Sequence, residues 1–312
     1  QSTPQLGRYV YFESLEPGNL PQSCKAGPSY DLISWYLQWL GKISDIGALC
    51  HGIKDTEQRN VNGIPVVPVQ ASIPPLSGFG AITRFILWSS VACLIATWDF
   101  LCGRWRHALL LNQAALAAQV RIQNPERLAK DYLFNNSVLI YRPLWTYEAE
   151  KRGSRITFYF YSTNCEGFKR VKGYAPHYYG YLVMNWPHYL VWDEYQADFV
   201  QRAVGETANI SIVGPIWFHA SAQAIPTLPP KTVAVFDVQP SRDTFYKTLG
   251  HDLDYYTPQT AIHFLINIHA VLEGFGAVMS LKLKRNIGRL AHPKYRHFVE
   301  KLADLSDVIT IE

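Results

Sequence analysis

Cationic side chains gather at the end of a predicted strand in the last part of the chain. Lys282, Lys284 and Arg285 lie where the strand over residues 277–283 ends, and His292 stands just before the next predicted helix. In open parallel sheets, ligands bind beyond the carboxyl ends of the strands, where helix N-termini supply N–H donors. Three cations at such a position suit the phosphate or carboxylate of a ligand. A solvated surface patch is the alternative interpretation.

A second loop at the end of a strand carries similar groups. Residues 237–243 (DVQPSRD) follow the apolar strand pattern TVAVFDV. Ser241 can cap the following helix, and Arg242 can hold an anionic oxygen through two parallel hydrogen bonds. Gln239 adds a polar contact to this loop, and Asp237 is a candidate catalytic carboxylate. A helix cap beside a solvated arginine is the alternative.

The first half of the chain offers a candidate general base. Glu148 lies on a predicted helix over residues 143–152, and a carboxylate beside a cleft can take a proton from a hydroxyl group. Arg142 and Trp145 stand at the start of that helix, and Asn164 lies in the turn after the strand ITFYFY. We expect these three to bind a substrate. An exposed helix residue without a catalytic role is the alternative for Glu148.

Other classes of site find little support in the sequence. HExxH, P-loop, GxGxxG and GxSxG motifs are absent, and Asp252 and Asp254 form too short a pattern to indicate a metal, so we expect neither metal nor cofactor. The five cysteines lack CxxC spacing, which indicates free thiols in a reducing compartment such as the cytoplasm. The net charge of +4 is spread over 29 basic and 25 acidic residues, which argues against nucleic-acid binding.

Strand and helix patterns alternate along most of the chain. Residues 137–161 predict a strand, a helix and a strand with short joints, which is typical of a parallel sheet. From residue 210 the alternation repeats, and TVAVFDV is apolar enough to be a strand buried on both faces. We therefore expect an α/β fold with two Rossmann-like domains, over residues 1–205 and 206–312.

The last pattern in the chain is a strand over residues 308–311, and no helix follows to cover it. A doubly wound domain usually has five or six strands, and only about four are predicted after residue 207. The sequence therefore predicts that the C-terminal domain is cut short at residue 312.

An apolar helix is predicted over residues 85–101. Its first 14 residues, from Phe85 to Trp98, carry no charge, which is short of the roughly 20 residues that span a bilayer. Two arginines and a tryptophan follow directly in CGRWR, as they do beside many interfacial helices. Three interpretations stay open: a core helix, which we slightly favour, an interfacial helix in peripheral contact with the inner membrane, and a spanning helix.

Several blocks of the second half resemble one family. They are LAKDYLFNNSVLIYRPLWTYEAEKRGSRITFYFYSTN (128–164), YLVWDEYQADFV (189–200), VGPIWF (213–218), VAVFDVQPSRDTFY (233–246) and LKLKRNIGRLAHPKYRHFV (281–299). Over about residues 125–311 the chain is similar to surface-polysaccharide biosynthesis proteins named for a PFTS motif. The motif itself is absent, and we expect it just beyond Glu312.

The resemblance implies glycosyl transfer for O-antigen or capsule, with a GT-B-like fold similar to that of transferases of Kdo-type sugars. It implies a nucleotide-sugar donor, bound mostly by the C-terminal domain, and a glycan or lipid-linked glycan acceptor, bound mostly by the N-terminal domain. The acceptor would then be bound by Arg142, Trp145 and Asn164. The donor would be bound by Gln239, Ser241, Arg242, Lys282, Lys284, Arg285 and His292. A sugar-nucleotide epimerase and a non-catalytic, membrane-associated assembly component are the alternatives.

Overall fold

The computed structural model describes residues 8–15, 19–21, 31–41, 45–54, 57–136, 141–162, 171–174, 177, 179–216, 228–237, 240, 257–283 and 291–311. The chain forms two compact units, residues 1–221 and 222–312. In both units parallel strands alternate with helices, which confirms the predicted α/β class.

An eight-stranded sheet organises the first unit. Its strands are β1 (Tyr9–Phe12), β2 (Ala48–His51), β3 (Arg59–Val61), β4 (Ile64–Pro68), β5 (Asp131–Asn135), β6 (Arg155–Tyr159), β7 (Tyr189–Val191) and β8 (Ile210–Ile212). They lie in the order β3-β4-β2-β1-β5-β6-β7-β8. In this sheet β3 is antiparallel to β4, and the other pairs are parallel. The chain extends the sheet to one side of β1 and then returns to the other, so the strand order reverses between β1 and β5.

Helices cover both faces of this sheet. They are α1 (Leu32–Leu40), α2 (Phe79–Leu101), α3 (Arg106–Ile122), α4 (Leu144–Lys151), α5 (Tyr179–Leu182) and α6 (Glu194–Val204), with a 3-10 turn at Pro125–Arg127. Helix α1 packs on one face, and α3, α4 and α6 pack on the other. Aspartates start two of these helices, since Asp31 accepts from the Ser34 amide and Asp193 from the Gln196 amide, both at 2.8 Å.

The second unit has a smaller described sheet. Its elements are β9 (Thr232–Asp237), α7 (Pro258–Gly274), β10 (Val278–Leu283), α8 (Pro293–Ala303) and β11 (Val308–Ile311). The strands are parallel, in the order β11-β10-β9. Leu265, Met279, Leu281 and Tyr295 are central to its core. Strand β9 is not buried on both faces as predicted, because it lies at the edge of the described sheet and exposes Val233 and Phe236.

The strand after α3 differs from the predicted one. The sequence favours a strand beginning at residue 137, whereas β5 is Asp131–Asn135, and residues 137–140 lie outside the described part of the chain. The polar ends of β5 weaken its strand pattern. Tertiary contacts satisfy both, because Asp131 accepts from Arg155, and the Asn135 amide donates to the Tyr159 hydroxyl at 3.2 Å.

The predicted apolar helix is longer than expected and exposed. Helix α2 has 23 residues, and of these Ala96 alone is buried. Among the described elements it packs mainly against α3, which in turn packs against α4. Helix α2 is therefore not a buried core helix within the described chain.

A partly buried ionic network, in which Asp131 is buried and Arg155 reaches solvent, ties α1 to two central strands. Asp131 of β5 accepts from Arg155 of β6 through Nε at 2.8 Å and Nη2 at 2.9 Å, and from the Tyr36 hydroxyl of α1 at 2.9 Å. Arg155 Nη2 also donates to the Tyr36 oxygen at 2.7 Å. The Asp131 carboxylate is thus fully surrounded by donors, which offsets the cost of its burial.

Replacing Asp131 should destabilise the first unit. Asp131→Ala leaves Arg155 and Tyr36 without their shared acceptor, and we expect the free energy of unfolding to fall by about 3 kcal/mol. All nine tryptophans lie in residues 1–221, so tryptophan fluorescence during urea unfolding reports on this unit. Asp198→Ala, which removes an exposed partner of Arg202, should cost no more than about 0.5 kcal/mol. Equal losses of stability in Asp131→Ala and Asp198→Ala would contradict a stabilising role for the Asp131 network.

Candidate functional site

A cavity opens where strands β1, β2 and β4 end. It has a volume of about 550 Å³ and lies beside the reversal of strand order, where open α/β sheets bind ligands. Its walls include Tyr11, Glu13, Ser14, Gly52, Gln70 and Ser72. Polar side chains therefore converge at the carboxyl edge of the first sheet.

Glu13 is the ionisable carboxyl group of this cavity. Its amide donates to the Leu133 carbonyl at 2.8 Å, which continues the pairing of β1 with β5, and its carbonyl accepts from the Asn135 amide at 3.4 Å. Burial raises the pKa of Glu13, and hydrogen bonds from Ser72 and Ser14 oppose this only in part. A carboxyl group with a raised pKa in a cleft is suited to proton transfer.

Two backbone features border this cavity. Ser14, directly after it, has a φ of 54°, a left-handed conformation that is uncommon outside glycine. Across the cavity, a Cβ on Gly52 would lie 3.2 Å from the Tyr11 hydroxyl oxygen. A side chain at position 52 would therefore crowd the wall that faces Tyr11.

Glu148 lies elsewhere, beside a cavity of about 300 Å³ between α2, α3 and α4. It pairs with Arg121 at 3.0 and 3.2 Å, and with Lys151 at 3.2 Å. The hydrogen bonds from Arg121 are the main cause of a lowered pKa for Glu148, and Lys151 adds to it. A lowered pKa makes a carboxylate a weaker base, and the pairing links α3 to α4.

The predicted acceptor residues at the start of α4 have packing contacts. Trp145 is buried in the core, where its ring lies 5.0 Å from the Tyr132 ring in an edge-to-face arrangement. Arg142 is also buried, donates to the Thr146 hydroxyl at 3.0 Å and pairs with Glu150 at 2.5 Å. Both side chains fix α4 in place.

The second unit contains three of the predicted site residues within its described part. Asp237 is buried at the end of β9, and Lys282 is half-buried on β10. His292 precedes α8, and its amide donates to the Pro240 carbonyl at 3.0 Å, which joins the end of β9 to the start of that helix. Outside the described residues lie Asn164, Gln239, Ser241, Arg242, Lys284 and Arg285, and also Asp252 and Asp254.

Strand β10 and the start of α8 contain buried polar atoms without hydrogen-bond partners. Within the described residues, Ser280 Oγ, His292 Nδ1 and the Tyr295 hydroxyl have no partner. Buried polar groups of this kind are rare and call for an explanation such as a ligand or water. His292 and Tyr295 lie at the N-terminus of α8, the end of a helix that attracts anions.

A metal centre finds no support in the described part of the chain, where no three His, Cys, Asp or Glu side chains come together. Glu13 was missed by sequence reasoning. The available signal was its position after the first strand pattern, YVYFE, because a polar residue that ends the first strand of a doubly wound sheet lies at its ligand-binding edge.

The fold and the cavity define an α/β protein with a cleft at the carboxyl edge of a mostly parallel sheet. The model of the polysaccharide biosynthesis PFTS motif protein family matches residues 88–312, and the chain belongs to that family. The predicted resemblance is confirmed, and the match begins well before residue 125. Comparison of the chain with curated protein sequences and with solved structures gives no match.

The raised pKa of Glu13 has a consequence for stability. The folded state binds the Glu13 proton more tightly than the unfolded state, so this residue's contribution to stability is lost as the pH rises above the ordinary value of 4.5. Glu13→Gln keeps the shape but cannot ionise. Relative to wild type, its free energy of unfolding should therefore increase between about pH 4 and pH 7.

Urea unfolding followed by tryptophan fluorescence at several pH values measures this difference. Glu126→Gln, a change of an exposed carboxylate in the same unit, is the matched control and should follow the wild-type profile. A difference between Glu13→Gln and wild type that stays constant with pH would contradict the burial of Glu13.

Proposed function

We propose that this protein is a glycosyltransferase of surface-polysaccharide biosynthesis that moves a sugar from a nucleotide-activated donor to an acceptor hydroxyl group. One observation carries the proposal: a half-buried carboxyl group with a raised pKa, Glu13, in a cavity of about 550 Å³ at the ligand-binding edge of the first sheet. Membership of a polysaccharide biosynthesis family supports the substrate class. O-antigen or capsule is the proposed product.

In this proposal Glu13 acts on the acceptor. Its carboxylate takes the proton of the acceptor hydroxyl while that oxygen attacks the anomeric carbon of the donor. The bond from this carbon to the nucleotide phosphate breaks, and the phosphate leaves with both electrons. Burial raises the pKa of Glu13 and makes it a stronger base. Arg121 and Lys151 lower the pKa of Glu148 and make it a weaker base. We therefore propose Glu13 rather than Glu148 as the base.

The donor is proposed to bind in the second unit. The departing phosphate gains negative charge, and a cation such as Lys282 together with the N-terminus of α8 would stabilise it without a metal ion. The buried hydroxyl of Tyr295 and Nδ1 of His292 are hydrogen-bonding groups available to it. Gln239, Ser241, Arg242, Lys284 and Arg285 remain proposed donor contacts, and Asp237 a second candidate carboxylate. We propose that each unit is a Rossmann-like domain of the GT-B type.

Loss of the Glu13 carboxylate should abolish most of the transfer. With Glu13→Gln we expect the rate to fall about 10²- to 10⁴-fold, the usual contribution of a general base, with donor affinity unchanged. Labelled sugar incorporated into an acceptor glycan measures the rate. Glu126→Gln and Glu148→Gln should retain near wild-type rates. Loss of transfer in Glu148→Gln but not in Glu13→Gln would reverse the assignment.

Two alternatives to transfer remain. An epimerase would change the donor sugar without any acceptor, so chromatography of the nucleotide sugar after incubation alone separates it from a transferase. A non-catalytic assembly component would support polysaccharide production when Glu13 is replaced. The position of Glu13, half-buried with a raised pKa in a cavity at the carboxyl edge of the sheet, favours catalysis over assembly.

The proposed donor site in the second unit can be tested by removing the buried hydroxyl group of Tyr295. Tyr295→Phe removes a polar atom that has no partner within the described chain, so the free energy of unfolding should stay equal or rise. If the hydroxyl binds the donor phosphate, the affinity for nucleotide should fall about tenfold. Calorimetric titration with CMP and UDP measures this, with Tyr195→Phe, at an exposed position of α6, as the control. Unchanged affinity in Tyr295→Phe would exclude Tyr295 from the donor site.

A further inference from the structure

Helices α2 and α3 form an antiparallel hairpin attached to the first unit at one end. A turn over residues 102–105 joins them, and the Arg104 amide donates there to the Asp99 carbonyl at 2.7 Å. At the opposite end, Gln119 and Gln123 donate to the Pro74 carbonyl at 2.9 and 3.0 Å. Since α3 packs against α4, α2 is the outer helix of this part of the protein.

The side of α2 away from α3 is a continuous apolar stripe. Leu87, Val91, Leu94, Trp98 and Leu101 follow the spacing of one helix face, and all are more than half exposed. The helix has 23 residues and is ~34 Å long, and the stripe from Leu87 to Leu101 extends over ~21 Å of it. A contiguous apolar surface of this size marks a site of interaction.

The charges on the hairpin identify the partner. Residues 79–110 hold three arginines, at 84, 104 and 106, and one acidic residue, Asp99. Asp99 is in contact with His107, and no carboxylate of the described chain pairs with Arg104 or Arg106. Trp105 stands between these two arginines and is exposed. Unpaired arginines beside exposed tryptophans suit the headgroup region of an anionic bilayer.

We propose that the outer face of α2 is a membrane-binding surface that lies in the plane of an anionic bilayer. By length and composition α2 could also cross a membrane. However, α3 packs against its other side and connects to the body of the first unit, so an in-plane position buries the apolar stripe and keeps α3 and α4 above the lipid. The family match includes most of the hairpin, from residue 88. This proposal is independent of the reaction that the protein catalyses.

Flotation of the whole chain with phosphatidylcholine vesicles, with and without phosphatidylglycerol, tests the proposal. Wild type should bind the anionic vesicles, and less so in high salt. Leu94→Glu places a charge in the stripe and should reduce the partition coefficient at least about tenfold. Tyr195→Glu, at an equally exposed aromatic position outside the hairpin, is the matched control and should bind as wild type does.

Replacement of Arg104 and Arg106 gives a second test of the proposal. Arg104→Ser with Arg106→Ser should reduce binding to anionic vesicles about thirtyfold and leave binding to neutral vesicles unchanged. Equal binding of wild type and Leu94→Glu would overturn the proposal. So would a wild-type dimer in light scattering that fails to float with vesicles and becomes monomeric in Leu94→Glu, because the stripe would then bind a second copy.

Discussion

The ion pair between Asp131 and Arg155, closed by the Tyr36 hydroxyl, holds the first unit together. It joins the helix on one face of the sheet to the two strands after the reversal of strand order. Burial of a carboxylate is costly unless donors surround it, and this one accepts three hydrogen bonds. The network lies at the amino ends of the strands. At the opposite edge of the sheet the Glu13 amide donates to the Leu133 carbonyl of β5 at 2.8 Å, so the position of β5 also determines that of Glu13.

Much of the architecture could be predicted from local patterns. The alternation of strands and helices and the bounds of α4, α6 and α8 follow from apolar spacing, caps and prolines, all of which act over a few residues. The position of β5 could not be predicted in this way. Its first residue is an aspartate, and only a partner 24 positions along the chain, Arg155, makes that residue acceptable in a buried strand. Local propensity carries no information about such a partner.

Local sequence patterns predict the candidate site even less well than the fold. Glu13 belongs to no motif, and its position becomes meaningful only because β1 lies between β2 and β5 and the strand order reverses beside it. Conversely, Trp145 has the residue type of a sugar-binding platform, but its ring fills the core against Tyr132. Composition identifies the types of side chain that bind sugars, whereas topology decides which of them face a cavity.

Glu13 and the apolar stripe of α2 both reduce the stability of the first unit. Glu13 lowers stability at neutral pH, because burial opposes its ionisation. The stripe of α2 leaves apolar side chains in water, where each forgoes the stabilisation of burial. The stripe residues of α2 lie outside the hydrophobic core clusters of the first unit. Features that reduce stability are often kept for binding, and this is the basis for proposing an acceptor at Glu13 and lipid along α2.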